Sequence, residues 1–481
     1  MNYGKLKSGL LNFRMLFFVF FFLLGIFLRL YKYPFFPTAG NAEEYLYVWS
    51  GLSLIEEGVP ISWNDLPPYK SEHIIYEGFA PNYSGREDLP IRLLKPWLDE
   101  PPLFSLIEGA ISKFYGQENF TIISPYIIRI PPLIFSFISM FLVFLLSKKL
   151  FGWWVGNLSL ALYATIPTIV FGSRLAVAET PIATIFLGIT LLLISYFKSK
   201  DKKLIYLAYF LTLIAAFMKP TGLLLAPYLS FWLMKNKEIK NGIKYGLITI
   251  VIFFVLYFAY GFHYDKELFL DVLIYQSQRP AGWSGISHLF ISPGFNIEIF
   301  KDNFIIIGFL SMIFLMFSKR KFAQEIILFN FIYAIMIVLV SGGRGDQLGW
   351  YRYPIYPFLA ISLALLIENI YKKPNFYKFA IFLPLIMGNG DLLQNPFWKI
   401  DFFWKVKFFR YLFALFLAPM IAYEIFKKKY FISLGRYILI LTLCIGLIYN
   451  ILVVINMFSL TCDHSLICPL PYKVDLLEPF K

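Results

Sequence analysis

Charged side chains are scarce in this sequence. Asp, Glu, Lys and Arg make up 15% of its 481 residues, against roughly 25% in a typical soluble domain. This scarcity excludes an ordinary soluble protein. Apolar runs of about twenty residues recur along the chain instead, and runs of that length are typical of membrane spans. We therefore predict a polytopic membrane protein.

Cysteine and histidine are also rare, with three Cys and four His in the whole chain. Their spacing does not fit a zinc site built from these residue types. Cys444 falls within an apolar run and is expected to be a small core residue. Cys462 and Cys468 fall in a polar C-terminal segment and would form a disulfide if that segment lies outside the cytoplasm.

The net charge of +14 raises the question of nucleic-acid binding. Lys and Arg occur in short clusters between the apolar runs, however, and no basic stripe alternates with aromatic residues. Clusters of this kind follow the positive-inside rule of membrane proteins. We expect membrane lipids as partners and no nucleic acid.

The apolar runs predict an all-α bundle of about thirteen transmembrane helices, which forms one domain over residues 1–458. A large first loop (about 31–122) and a C-terminal tail (459–481) are its main polar segments. The predicted spans are 10–30, 124–146, 153–171, 177–197, 204–218, 220–234, 244–262, 304–318, 322–340, 353–371, 376–388, 407–426 and 436–458.

Basic clusters occupy alternate connections between these spans. This pattern predicts a multi-pass protein of the cell membrane with a cytoplasmic N-terminus. The first loop, the 263–302 loop, the 341–352 loop and the tail would then be external. The clusters are Lys148/Lys149, Lys198/Lys200/Lys202/Lys203, Lys235/Lys237/Lys240/Lys244, Lys319/Arg320/Lys321, Lys372/Lys373/Lys378 and Lys427/Lys428/Lys429/Arg436.

Two stretches of the first loop have apolar residues at helical spacing, one from Tyr45 to Ile55 and one from Leu103 to Phe114. They predict two amphipathic helices lying at the membrane surface. Residues 58–95, between them, are rich in Pro, Tyr and charge. We interpret this segment as a long external loop, which in compact proteins is usually functional or mobile.

An acidic pair stands at the start of each of these helices. Asn41 before Glu43 and Glu44 fits a capping box, and Asp99 and Glu100 could likewise cap the second helix. The alternative is chemistry, because a general base or a set of metal ligands needs carboxylates that converge near the substrate. Two pairs in one external loop favour the chemical interpretation of these carboxylates.

Isolated cations on the predicted external side break the positive-inside pattern locally. Arg174, with Glu179 as a third carboxylate downstream, lies at the external end of two spans, and Lys219 lies in a short hairpin. Arg344 and Arg352 lie in and beside the 341–352 loop. Each is either an interfacial anchor or a ligand of an anionic lipid phosphate.

In order, these motifs resemble the GT-C superfamily of polyprenyl-phosphate-sugar-dependent glycosyltransferases, over roughly residues 10–370. The most similar groups are the protein O-mannosyltransferases and the lipid A aminoarabinose transferases. Each motif is weak alone, but their order and spacing are fairly specific. They are Glu43-Glu44, the Asp99-Glu100-Pro101-Pro102-Leu103 turn, Arg129-Ile130-Pro131-Pro132, Lys148-Lys149-Leu150-Phe151-Gly152, Ser173-Arg174, Lys219-Pro220-Thr221-Gly222 and Tyr351-Arg352-Tyr353-Pro354.

The resemblance implies inverting transfer of a sugar from a polyprenyl-phosphate donor to a hydroxyl of a protein, lipid or glycan acceptor. A divalent cation, Mg²⁺ or Mn²⁺, would assist. The catalytic candidates are Glu43, Glu44 and Asp99, and the metal candidates are Glu43, Asp99 and Glu179. The candidates for holding the donor phosphate are Arg174, Lys219, Arg352 and Arg344.

Two positions depart from the family pattern. Glu43-Glu44 stands where the family usually has Asp-Glu, so a longer side chain would serve as the base. Glu100 stands where a cation often follows the second acid, so a phosphate ligand is missing there. Lys95, Lys219 or Arg352 would have to substitute for it.

Two other functions explain part of the pattern. A transporter or flippase of a lipid-linked sugar would account for the spans and the external cations. It would also require ionisable residues near the middle of spans, and few are present. An inactive family member would account for Glu100.

Overall fold

The computed structural model describes residues 3–37, 42–80, 89–121, 123–278, 303–316, 323–341, 349–380, 382 and 402–462. Within them the chain is mostly helical, as the sequence predicts. The helices are α1 (Tyr3–Leu30), α2 (Ala42–Glu56), α3 (Leu103–Phe114), α4 (Pro125–Ile128), α5 (Ile130–Phe151), α6 (Trp153–Thr165), α7 (Pro167–Gly172), α8 (Glu179–Ser199), α9 (Lys202–Met218), α10 (Leu225–Lys235), α11 (Ile239–Tyr264), α12 (Lys266–Ser277), α13 (Asn303–Met316), α14 (Ala323–Ser341), α15 (Tyr356–Lys372), α16 (Phe402–Phe426) and α17 (Lys429–Cys462).

Six segments in this part of the chain are long and apolar enough to cross a membrane. The chain is therefore a multi-pass membrane protein, as predicted. The helices named above overlap twelve of the thirteen predicted spans, and most of the remaining one, 376–388, lies outside the described residues. The six segments are Phe13–Leu30, Pro125–Phe151, Glu179–Ser199, Ile239–Tyr264, Gly349–Lys372 and Lys429–Asn456.

Prolines alter the helical path of two predicted spans. The span at 153–171 is two helices, because Ile166 is non-helical (ψ 117°) and Pro167 begins α7. The span at 220–234 begins as a 3₁₀ turn, Pro220–Leu224, before α10. Lys219 lies at this second break, where its extended backbone (φ −160°, ψ 142°) ends α9. The break turns the Lys219 side chain away from the helical path of α9.

A small antiparallel sheet lies in the first loop, where the sequence predicted a loop over 58–95. Its strands are β1 (Ser62–Trp63), β2 (Ile74–Ala80) and β3 (Leu89–Leu94), in the order β1-β3-β2. Opposite charges face each other across the sheet, with the Arg92 Nε 3.2 Å from the Glu77 carboxylate. Strands of two to seven residues, one containing a proline, are too short to give a clear alternating pattern.

A further helix, α12, occupies the start of the predicted 263–302 loop, so that part of the loop prediction is wrong. Asp265 caps this helix by accepting a hydrogen bond from the Leu268 amide at 3.0 Å. The apolar side chains Leu268, Phe269 and Val272 pack into a cluster with α11 and the first loop. Residues 279–302 lie outside the described residues.

The cysteine predictions have different outcomes. The Cys444 side chain is exposed on α17, so its assignment to the core is wrong. An apolar run in a membrane helix also includes positions that face outward, and composition alone does not separate the two. Helix α17 continues to Cys462, past the predicted start of the tail. Cys468 lies outside the described residues, and the disulfide stays a prediction.

Helices α2 and α3 are present where the sequence predicted the two helices of the first loop, and they cross in backbone contact. The crossing point is formed by Gly51 and Gly109. A Cβ atom at Gly51 would lie 1.8 Å from the Ser105 carbonyl oxygen, and one at Gly109 would lie 2.3 Å from the Gly51 carbonyl carbon. This contact holds the first turn of α2 beside the residues that precede α3.

We predict that the Gly109→Ala substitution separates the two helices and destabilises the protein by about 1–3 kcal/mol, the usual effect of overpacking. The measurement is the Tm of the purified full-length chain in detergent, which should fall.

Gly188→Ala in α8 is the matched control, because a Cβ atom at Gly188 meets no atom within 4 Å. Alanine favours a helix over glycine, so this control should leave the Tm unchanged or slightly higher. Equal Tm values for the two variants would contradict the close crossing.

Candidate active site

Helix α2 and the second acidic pair meet at the end of α9. Tyr47 lies one turn after Glu43 on α2, and its hydroxyl donates a 2.7 Å hydrogen bond to Glu100 Oε2. Lys219 Nζ lies 3.2 Å from Glu100 Oε1. Three segments that are far apart in sequence therefore share one polar contact, formed by Tyr47, Glu100 and Lys219.

Lys219 is the centre of this site. Its ammonium lies 2.9 Å from Glu179 Oε1 and 3.2 Å from Glu100 Oε1, and it donates to the Tyr47 hydroxyl at 3.3 Å. The Tyr351 ring lies beneath it, 4.9 Å from the ring centroid. Burial alone would lower the pKa of Lys219, but Glu100 and Glu179 raise it well above its ordinary value. The ammonium stays charged although it is almost fully buried.

Glu43 is the carboxylate of this cluster whose pKa lies near neutral pH. It lies in the first turn of α2 and is half-buried. Burial raises its pKa to about 7, a shift that Lys219 opposes and that Glu100, Glu179 and Asp99 reinforce. A carboxylate that titrates near neutral pH can take up a proton during a reaction.

Asp99 directly precedes Glu100 in the chain, and its side chain is buried. Its carboxylate accepts hydrogen bonds from the Tyr69 hydroxyl and the Asn64 amide, and Gln276 of α12 donates to its backbone carbonyl at 3.3 Å. Neither Asp99 nor Glu100 caps α3, whose N-cap is Pro102 without a side-chain hydrogen bond. The capping interpretation of the second acidic pair is therefore wrong.

Glu44, the neighbour of Glu43, is part of a different structure. Its carboxylate forms a two-pronged ion pair with Arg129, with both nitrogen–oxygen distances 3.0 Å, and accepts from the Ala176 amide at 3.0 Å. Arg129 also donates to the carbonyls of Tyr33 and Pro37. Asn41, the predicted cap of α2, lies outside the described residues.

Arg174 is buried, and its guanidinium donates hydrogen bonds to backbone carbonyls. Its guanidinium donates to the carbonyls of Phe36 (2.7 Å) and Leu28 (2.5 Å) at the end of α1 and just after it. The interpretation of Arg174 as an interfacial anchor is wrong, because its side chain is 1% exposed. Arg352 is also buried, and its Nε donates to the Gly349 carbonyl at 3.2 Å. Arg344 lies outside the described residues.

The predicted metal ligands are not assembled around one point. No group of three or more His, Cys, Asp or Glu side chains among the described residues is placed to hold a metal ion. Glu179 is close to the Lys219 ammonium instead, and a divalent cation at that carboxylate would meet an adjacent positive charge. The residues therefore do not fit the predicted cation site.

Lys95 does not substitute for the missing cation, because its ammonium pairs with Glu57 at 3.2 Å on the loop surface.

Sequence reasoning missed the roles of Tyr47, Tyr69 and Arg129. The signal for Tyr47 was its position four residues after Glu43, which places both on one helix face. Tyr69 and Arg129 reach their partners through tertiary contacts, for which the sequence carries no local signal.

Comparison with known families gives one partial match. A family profile described as dolichyl-phosphate-mannose-protein mannosyltransferase matches residues 99–260, which is less than half of the chain. The matched segment contains Asp99, Glu100, Glu179 and Lys219. No curated protein sequence matches the chain.

Similarity to solved structures covers a larger part of the chain than the family profile does. ArnT from Cupriavidus metallidurans in the apo state has a TM-score of 0.54 and 12% identity, covering 94% of this chain and 78% of that one. The undecaprenyl phosphate complex of the same protein gives 0.52 and 12%, covering 92% and 77%. The arabinosyltransferase EmbB from Mycobacterium smegmatis gives 0.54 and 12%, covering 93% and 41%. The chain therefore shares the fold of these solved structures, in agreement with the predicted fold class.

We predict that Glu44 stabilises the fold and that its neighbour Glu43 does not. Glu44→Ala leaves the buried Arg129 guanidinium without its carboxylate, which typically costs about 3–5 kcal/mol. A large drop in Tm is expected for the detergent-solubilised chain.

Glu43→Gln is the matched control on the adjacent residue. It removes a charge that burial disfavours, so the free energy of unfolding should stay within about 0.5 kcal/mol of the parent value and the Tm should change little. The assignment is contradicted if the Glu43 variant unfolds first, or if the two variants unfold together.

Proposed function

We propose that this chain is an integral-membrane glycosyltransferase. It moves a sugar from a polyprenyl-phosphate carrier to the hydroxyl of a protein, lipid or glycan acceptor, with inversion, on the external face of the cell membrane. The observation that carries the proposal is the Lys219 cluster, in which a buried cation paired with Glu100 and Glu179 influences Glu43, a carboxylate with a pKa of about 7. The GT-C fold, and a relative crystallised with undecaprenyl phosphate, support the donor class.

Glu43 is the proposed general base. A base is most effective when its pKa lies near the working pH, and burial with the neighbouring carboxylates raises that of Glu43 to about 7. Its carboxylate accepts the proton of the acceptor hydroxyl while the oxygen forms a bond to the anomeric carbon. The carbon–phosphate oxygen bond breaks at the same centre, from the opposite face.

Lys219 and Tyr47 are the proposed ligands of the departing phosphate. The lipid phosphate leaves with the electron pair of the broken bond, so negative charge develops on it. A buried ammonium and a phenol stabilise such charge strongly, because little water competes with them. Burial and Glu100 keep the pKa of Tyr47 well above its ordinary value, so its hydroxyl stays a donor. These steps use only side chains of this chain.

The remaining candidates have supporting roles in this proposal. Arg174 and Glu44 are assigned to the fold, because their bonds go to backbone carbonyls and to Arg129. Asp99 holds Tyr69 and Asn64 and adds to the negative field at Glu43. Arg352 and Arg344 stay predictions as phosphate ligands. The external location is supported by the alternation of basic clusters along the sequence.

The test is transfer of radiolabelled sugar from a polyprenyl-phosphate donor to membrane extract by the purified chain. We expect the rate to rise with pH through about 7 and then level off, because only ionised Glu43 is a base. Glu43→Gln should lower the rate by about 100-fold or more. Glu100→Gln should move the rise to lower pH, since Glu100 raises the pKa of Glu43.

Glu57→Gln is the control, because Glu57 lies in the same loop but pairs with Lys95 at the surface. Its rate and pH profile should equal those of the parent. Equal labelling by the parent and the Glu43 variant would contradict the assigned base. Lipid scrambling without labelled product would favour the transporter.

A further inference from the structure

Three oxygen atoms already surround the Lys219 ammonium. A lysine ammonium offers three donors, and three oxygen atoms lie within reach: Glu179 Oε1, Glu100 Oε1 and the Tyr47 hydroxyl. Because these oxygens enclose a buried ammonium, a donor phosphate reaches Lys219 most directly by displacing one of them. The geometry of the cluster indicates which one.

Glu100 is the partner that can leave. Its side chain is 18% exposed, whereas that of Glu179 is 1% exposed. Glu179 is fixed in the first turn of α8, and Tyr47 lies within α2, where its ring packs edge-on against Phe104. Glu100 lies in a non-helical bend directly before two prolines. Moving it exposes a charge that is already partly exposed.

The bonds of Glu100 are those a phosphate would make. One carboxylate oxygen lies 3.2 Å from the Lys219 ammonium, and the other accepts a 2.7 Å hydrogen bond from the Tyr47 hydroxyl. Tyr47 and Lys219 also contact each other, at 3.3 Å, so the two donors and the carboxylate form a closed ring. An ammonium and a phenol that hold two oxygens of one anion form a subsite for a carboxylate or a phosphate.

We propose that Glu100 is an internal stand-in for the donor phosphate. It occupies the anion subsite of Lys219 and Tyr47 when no donor is bound, and the lipid phosphate displaces it. This inference rests on the proposed function, in which Lys219 binds the donor phosphate. It gives a role to the residue that departs from the family pattern: Glu100 lowers donor affinity and keeps a buried cation neutralised between turnovers.

The inference predicts a gain of binding on removing an acidic residue from the site. Glu100→Gln keeps the size of the side chain but removes its charge, so the phosphate no longer competes with a carboxylate. A charge-assisted hydrogen bond contributes enough to change affinity about tenfold. We expect undecaprenyl phosphate to bind the Glu100→Gln chain about tenfold more tightly than the parent.

Binding is measured on the full-length chain in detergent by the concentration dependence of the Tm on added undecaprenyl phosphate. Glu100→Ala is a second variant, which should show the same direction if Gln perturbs the ring. Glu57→Gln, from the same loop, should bind like the parent. Undecaprenol, which has the tail without the phosphate, is the uncharged control. It should shift the Tm of all of these variants equally.

Lys219→Met separates failure of this inference from failure of the proposed function. If Lys219→Met binds undecaprenyl phosphate as tightly as the parent, the phosphate does not use Lys219 and the proposed function loses its donor site. If Lys219→Met loses binding but both Glu100 variants bind equally or more weakly, the stand-in role alone is overturned. A gain that undecaprenol shows equally belongs to the tail and also overturns it.

Discussion

One buried ammonium, that of Lys219, joins the first loop to the membrane helices. Its two carboxylate partners come from different places, Glu100 from the loop and Glu179 from the start of α8. A lone charge at this depth would be very costly, and two carboxylates with a phenol make it tolerable. The same contact fixes the position of Tyr47, and through α2 that of Glu43. The candidate site depends on this one compensated charge.

Around that centre, buried arginines hold the chain together where helices end. Arg29 donates to the carbonyls of Tyr163 and Ala164 near the end of α6, and Arg174 to those of Leu28 and Phe36. Arg129, between α4 and α5, pairs with Glu44 of the first loop. Carbonyls at helix ends lack partners within the helix, and away from water another group must supply them. We infer that these guanidinium groups build the frame, while Lys219 is left for chemistry.

The sequence predicted the class of fold well, because apolar runs and basic clusters are strong, repeated signals. It also placed Glu43, Asp99, Glu179 and Lys219 among the candidates, and the structure brings them into one electrostatic cluster. It could not separate Glu43 from Glu44. Adjacent residues on a helix point in directions about 100° apart, and which one faces the cluster depends on how α2 crosses α3.

Other features were beyond the sequence for similar reasons. The ion pair between Glu100 and Lys219 joins residues that are more than a hundred positions apart, so no local sequence pattern predicts it. The three short strands and the exposed Cys444 depend on neighbours in space as well. The unexpected acid at position 100 looked like a lost phosphate ligand. Its contact with Lys219 gives the departure a physical meaning, since the cation is present but comes from α9.

The most direct measurement of the central claim is a structure of the full-length chain in a lipid nanodisc with bound undecaprenyl phosphate. The account predicts phosphate oxygens within hydrogen-bond distance of Lys219 Nζ and the Tyr47 hydroxyl, with Glu179 still paired to Lys219 and Glu100 turned aside. A phosphate bound elsewhere, with Lys219 still enclosed by Glu100 and Glu179, would contradict it.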